Sequence, residues 1–287
     1  MNPRPAMRAG RPGRSGHGGM RRGRRSSGGP GGRGPRLITV RALAANIVTT
    51  LALSAGMTAI RFALEGRFKS AVTAIIIAGI LDGLDGTIAR LLKSASRFGA
   101  ELDSLSDVVA FGIAPAVLIY SWGLADLGRA GWIVALAYGV ACALRLARYN
   151  AQAAEGGEDA KRHHGFFVGV PAPAGAALVL LPMIVDFAFE MAIFKTSAAL
   201  GVYVAIVAGS MVSTLPTFSM RQFRIQRENM LLVLLSVAVL AAALLAYGWS
   251  VLALIIFCYL VSIPLAFWRW RRLVRAIPPP ADDGPSV

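Results

Sequence analysis

The chain has 287 residues, 55% hydrophobic and only 16% charged, whereas a soluble domain carries about 25% charged residues. That balance excludes an ordinary soluble enzyme and points to a polytopic membrane domain with tails, an expectation the mean hydropathy of +0.58 supports. The net charge is +15, but the arginines gather in the first 41 residues and at the ends of apolar runs, which suits topology and anionic lipid better than specific nucleic-acid recognition.

Residues 1–36 are Arg, Gly, Pro and Ser with no acidic residue. Such a segment buries too little apolar surface to fold alone, so it reads as a disordered cytoplasmic tail. No apolar stretch precedes residue 37, and the first membrane helix is expected to act as the targeting signal. Eight apolar runs follow, near 43–63, 69–92, 99–122, 130–150, 172–190, 197–215, 229–247 and 250–268, each approaching the roughly 20 residues that a span requires. The short loop EGRFKS makes the first two an antiparallel hairpin. Cys142 and Cys258 fall inside apolar runs and read as packing residues. A flexible tail, 276–287, closes the chain.

Loop charges set the expected orientation. Arg90, Lys93 and Arg97 follow the second run, Arg145, Arg148, Lys161 and Arg162 the fourth, Arg221, Arg224 and Arg227 the sixth, and Arg269, Arg271, Arg272 and Arg275 the eighth. The alternate loops carry far fewer. Both termini and every second loop therefore belong on the cytoplasmic side of the cell (inner) membrane.

Four aspartates interrupt this pattern: Asp82 and Asp85 near the end of the second run, Asp103 and Asp107 early in the third. Each charge at mid-membrane costs about 2.5–3.5 kcal/mol, hence about 10–14 kcal/mol for four, unless a cation compensates. The spacings i, i+3 and i, i+4 put each pair on one helix face, and the loop between the runs puts all four at one depth near the cytoplasmic surface. Two facing helices then converge four carboxylates, a donor set suited to hard cations such as Mg²⁺ or Mn²⁺. Four are enough for two metals about 3.5–4 Å apart, the arrangement of in-line phosphoryl displacement. Glycines at 83, 86 and 99 permit close approach of backbone or ligand, and Arg90 could clamp a phosphate. An ion pathway or cation transporter is the competing reading of buried aspartates.

The pattern Asp82-x-x-Asp85-Gly86-x-x-Ala89-Arg90, eight residues, Gly99-x-x-x-Asp103-x-x-x-Asp107 resembles the CDP-alcohol phosphotransferase signature at every fixed position. The resemblance implies an all-α polytopic membrane protein with a six-helix core, here over 37–225; the last two apolar runs lie beyond it as two further transmembrane helices over 226–275, read as packing or dimer-supporting. It implies two divalent cations held by Asp82, Asp85, Asp103 and Asp107, CDP contacts at Gly86, Ala89 and Arg90 beside Asp82, and Asp107 as the base that takes the acceptor hydroxyl's proton. It also implies a homodimer.

Three further stretches, Asn46 to Gly56, Ala143 to Asn150 with Gly169 to Pro173, and Ser213 to Ser219, are similar to the phosphatidylserine synthase branch of that family. The expected substrates are then CDP-diacylglycerol and L-serine, among membrane lipids. Other acceptors within the family are glycerol 3-phosphate, inositol phosphate and choline. Asn46 and Thr49 are candidates for the nucleotide side or for capping within their own helix. Arg145, Arg148 and Asn150 are candidates for serine, the two arginines equally for anchors at the headgroups. His163 and His164 read as solvated loop residues. No Ser, His or Cys in the motif is fitted to be a covalent nucleophile, so one direct displacement is expected.

Overall fold

In a computed structural model, the structure describes residues 40–91, 96–154, 166–191, 197–213, 216–218 and 230–276. The basic tail at 1–36, the residues Lys161 to His164 and the tail after 276 lie outside them.

A three-residue loop folds α1 (Val40–Leu64) back on α2 (Phe68–Leu91), and the two helices pack along most of their length. This is the hairpin expected from EGRFKS. Small residues on the shared face, Ala52, Ala59, Ala63, Ala71, Ala74 and Ala78, are buried and let the backbones approach; with little hydrophobic drive in lipid, such close packing is what holds membrane helices together. In the loop, Arg61 Nε donates to Glu65 Oε1 at 2.7 Å and holds that exposed carboxyl below its ordinary range.

The third run is one rod built from unlike turns. Ser96 caps the N-terminus of α3 (Arg97–Asp107) by accepting from the Gly99 amide at 3.0 Å. A π-helical turn (Val108–Ile113), α4 (Ala114–Ile119), a second π turn (Tyr120–Leu124) and a 3₁₀ turn (Ala125–Leu127) follow. The first π turn has a local cause. In α register the Phe111 carbonyl would accept from residue 115, which is Pro115 and has no N–H. The wider register is visible in Ala114, whose amide bonds the Val109 carbonyl five residues back. The fully buried Tyr138 on α5 (Arg129–Ala154) donates its hydroxyl to Phe111 O at 2.8 Å.

The same solution recurs in α6 (Ala172–Phe189). There Pro182 strips the donor from Leu178 O, and Tyr203 of α7 (Ser197–Val212) supplies its hydroxyl at 2.7 Å. Around these contacts Leu118, Ile119, Leu178, Met183, Leu200 and Met211 are fully buried.

Two short strands were not foreseen in an otherwise helical chain. Antiparallel β1 (Phe166–Val168) and β2 (Pro216–Phe218) pair Phe166 with Phe218 and Val168 with Pro216, tying the segment after α5 to the segment after α7. Next come α8 (Met230–Ala246) and α9 (Gly248–Ala276). Leucines along α8 face outward, whereas α9 packs on α6 and β2 and buries Ala253 and Ile256.

All eight apolar runs are thus helical. Five stretches are long and apolar enough to cross a membrane: Leu43–Leu64, Phe68–Ile88, Phe98–Leu127, Arg129–Gln152 and Ala172–Phe189. Ser197–Val212, Leu234–Ala246 and Gly248–Pro264 are shorter apolar helices. The described helix of the sixth run ends at Val212, and β2 begins at Pro216.

Candidate active site

The α1–α2 hairpin and α3 meet around the aspartates. Asp82 and Asp85 lie on the C-terminal half of α2, Asp103 and Asp107 on the C-terminal half of α3, and α1 packs against both helices. Asp82, Asp85 and Asp103 each offer one carboxylate oxygen within 4.8 Å of the others. Asp107 completes the quartet, its carboxyl in contact with that of Asp82. Among the described residues, no lysine or arginine forms a salt bridge with any of the four. Converging carboxylates in a membrane helix pair without a basic partner fit divalent cations, and the all-oxygen donor set fits a hard one. The convergence expected from the i, i+3 and i, i+4 spacings is present for Asp82, Asp85 and Asp103.

Asp85 is the most deeply set, 4% exposed, and its fixation comes from α1. The Thr49 hydroxyl, on a residue also 4% exposed, lies 2.6 Å from Asp85 Oδ2 and 3.2 Å from the Ala45 carbonyl. A hydroxyl has one proton. Within an α-helix Ala45 O already accepts the Thr49 amide, so the proton belongs on the shorter contact to the carboxylate. Thr49 O in turn accepts from the buried Ser106 Oγ at 3.4 Å, one residue before Asp107. Thr49 thus joins the helices that carry both acid pairs. Ser106 escaped the sequence reading, since a serine between two motif positions carries no signal of its own.

Asn46, one turn earlier on α1, faces α3. A Cβ at Gly99 would stand 2.9 Å from Asn46 Oδ1 and 3.1 Å from the capping Ser96 Oγ, so an added methyl would make these side chains shift. At Gly86, by contrast, a Cβ would meet nothing within 4 Å, and the helix face is open beside Asp85. The side chains of Ala89 and Arg90 lie outside the described residues.

The three acceptor-side candidates occupy different settings. Arg148 donates to Val212 O at 2.9 Å and Ser213 O at 3.4 Å, capping the end of α7. Gly169, at φ 80°, packs into the same knot, where a Cβ would lie 3.0 Å from Ser213 O and 3.2 Å from the Arg148 guanidinium. Asn150 Nδ2 donates to Ser104 Oγ at 2.8 Å and ties the end of α5 to α3. Arg145 is half-buried, with the Tyr149 ring 5.9 Å away and no salt bridge among the described residues. Of the two arginines, Arg145 is the one that no carbonyl claims among the described residues, and it lies within electrostatic range of Asp107.

A family model described as CDP-alcohol phosphatidyltransferase matches residues 42–215. A Mycobacterium tuberculosis protein named CDP-diacylglycerol–serine O-phosphatidyltransferase is 38% identical over 254 residues, 88% of this chain and 87% of that one. Proteins of the same name from Mycobacterium leprae and Helicobacter pylori are 37% identical over 88% of this chain and 82% of theirs, and 32% identical over 68% and 80%.

Proposed function

The chain belongs to the CDP-alcohol phosphatidyltransferase family, and on that premise we propose that it transfers the phosphatidyl group of CDP-diacylglycerol to the hydroxyl of L-serine. The products are phosphatidylserine and CMP. The observation that carries the chemistry is the convergence of Asp82, Asp85 and Asp103 within 4.8 Å, with Asp107 against Asp82. The acceptor rests on the relatives' shared name and on Arg145, a half-buried arginine within electrostatic range of Asp107.

Asp82, Asp85, Asp103 and Asp107 would hold two divalent cations, Mg²⁺ or Mn²⁺, which would supply Lewis-acid polarisation of the phosphodiester and offset charge on the departing CMP. The chain's residues supply the rest. Thr49 fixes the Asp85 carboxylate through its hydroxyl. Gly86, Ala89 and Arg90 border the nucleotide beside Asp82, and Asn46 closes that side against Gly99. Asp107 accepts the proton of the serine hydroxyl. The serine oxygen bonds to the phosphatidyl phosphorus as the bond to CMP breaks, in a single displacement. Arg145 pairs with the serine carboxylate, while Arg148 and Asn150 hold α7 and α3 in place around it.

The proposal sets the aspartates at the cytoplasmic face of the cell membrane, where serine and CMP exchange with water, and includes a homodimer, testable by crosslinking in membranes. The decisive experiment is an acceptor panel: purified protein, CDP-diacylglycerol, Mg²⁺ or Mn²⁺, and labelled serine beside glycerol 3-phosphate, inositol phosphate and choline. Incorporation of serine alone is expected; preference for another alcohol would overturn the acceptor. Cation flux in liposomes without lipid turnover would overturn the reaction.

A further inference from the structure

The α1–α2 hairpin carries a groove at the end of the helices away from the aspartates. Lys69, near the start of α2, stands about 20 Å from Asp82 along the helix at a rise of 1.5 Å per residue. The groove has a volume of about 430 Å³, and its lining changes with depth. At the loop end stand Phe62, Lys69 and Ser70; the next turn brings Thr58 and Thr73; deeper still the walls are Ala55 and Ile77.

Charge is concentrated at the mouth. Arg61 and Arg67 both pair with Glu65, at 2.7 and 3.6 Å, whereas Lys69 forms no salt bridge among the described residues. The Lys69 ammonium lies 5.6 Å from the centre of the Phe187 ring on α6, within cation–π range. Phe187 in turn meets Trp249 of α9 edge to face at 5.2 Å, so aromatic rings from two other helices position the cation. The Thr58 and Thr73 hydroxyls donate to Ser54 O and Lys69 O, at 2.7 and 2.9 Å. With those protons taken up by their own helices, the middle of the groove is only mildly polar.

Polarity therefore falls from an ammonium, through hydroxyls, to alkyl walls. A phospholipid has the same order of groups: phosphate, ester-linked glycerol, acyl chain. A free anion would leave the alkyl walls unused, and a plain hydrocarbon would leave Lys69 unused. Arg61, Arg67 and Lys69 outnumber Glu65, and basic residues at a membrane surface attract lipids of net negative charge. We propose that this groove binds one anionic phospholipid of the leaflet opposite the aspartates, with its phosphate on the Lys69 ammonium and an acyl chain along Ala55 and Ile77. The site is separate from the transfer reaction and does not depend on the acceptor; it needs only that the hairpin spans the bilayer.

The test uses the full-length protein in detergent, stripped of lipid and offered dioleoyl-phosphatidylglycerol, dioleoyl-phosphatidylcholine or inorganic phosphate. Native mass spectrometry reads the lipid retained, and a thermal scan reads the stabilisation. Phosphatidylglycerol should be retained and should raise the melting temperature more than phosphatidylcholine, and inorganic phosphate should do neither. Lys69→Gln, at an exposed position, should weaken retention of phosphatidylglycerol about tenfold, the scale of one lost charge-assisted hydrogen bond. Lys69→Arg should restore it. Thr58→Leu fills the middle of the groove without altering charge and should weaken retention of both lipids. Equal retention of phosphatidylglycerol by wild type and K69Q would overturn the proposal. Stabilisation by inorganic phosphate alone would overturn it too, since the alkyl walls would then have no part. Disulfide formation between two copies of Thr58→Cys in membranes, with loss of the bound lipid, would assign the groove to a second copy and overturn it equally.

Discussion

The Thr49 to Asp85 hydrogen bond offers a direct test of how the acid cluster is held. Thr49→Val keeps the branched shape of the side chain and removes only the hydroxyl, so packing between α1 and α2 is preserved. The bond is 2.6 Å long and both residues are 4% exposed, so water does not substitute freely for the lost donor. A hydrogen bond to a charged acceptor contributes about 1.5–3 kcal/mol, which corresponds to roughly 10–150-fold in an equilibrium constant. Partners of metal ligands typically change metal affinity by about 10–100-fold. The half-saturating Mn²⁺ concentration for phosphatidyl transfer should therefore rise by one to two orders of magnitude, and Thr49→Ser should restore most of it. A titration of Mn²⁺ binding by electron paramagnetic resonance, without substrate, reads the same quantity independently of turnover. If T49V binds Mn²⁺ as tightly as wild type while its KM for CDP-diacylglycerol rises at saturating metal, the reasoning fails and Thr49 contacts the nucleotide instead.

Other consequences follow from the same geometry. Asp107→Asn should abolish transfer, measured as CMP release, while the protein still elutes as wild type on size exclusion; substantial residual turnover would exclude Asp107 as the base. Gly99→Ala puts a methyl 2.9 Å from Asn46 Oδ1 and 3.1 Å from the Ser96 cap. It should displace the Asn46 amide and the Ser96 cap and lower the melting temperature, and an unchanged melting temperature would deny that close approach. Tyr138→Phe strands the Phe111 carbonyl in the protein interior, a loss of about 1–3 kcal/mol readable in a thermal scan with little effect on either KM. Arg148→Ala should destabilise the end of α7 without selectively raising the KM for serine, in contrast to substitution of Arg145.

Much of this arrangement was legible before any coordinates. Acids spaced i, i+3 and i, i+4 in apolar helices must share faces, and a short loop must pair the first two helices, so the location of the quartet followed from periodicity and charge cost alone. What periodicity does not carry is the partner on another helix. Thr49 meets Asp85 across 36 positions of sequence and Ser106 across 57, and neither pairing leaves a mark in either helix. The π turn was hidden for a similar reason: Pro115 announces a missing donor, but the replacement hydroxyl stands on α5. Arg148 looked equivalent to Arg145, three residues apart on one helix, until the carbonyls of Val212 and Ser213 claimed it. The β1–β2 ribbon joins segments about 50 residues apart, too short and too distant to register as strands.

The two proline-to-tyrosine substitutions of donor also bear on the electrical tightness of the membrane. Each opens a helix in the interior, and an opened carbonyl in a bilayer is ordinarily satisfied by a neighbouring side chain or by ordered water. Phe111 lies one helical turn beyond Asp107, on the path leading inward from the acid cluster. Water at that carbonyl would extend a chain of proton-carrying groups from the aspartates toward the opposite leaflet. With the hydroxyl of Tyr138 seated there at 2.8 Å, and that of Tyr203 at Leu178, each opened carbonyl has a protein donor in place of a water. In the proposed arrangement, with the acids at one membrane surface, these hydroxyls would keep a proton path from continuing past Phe111 into the core.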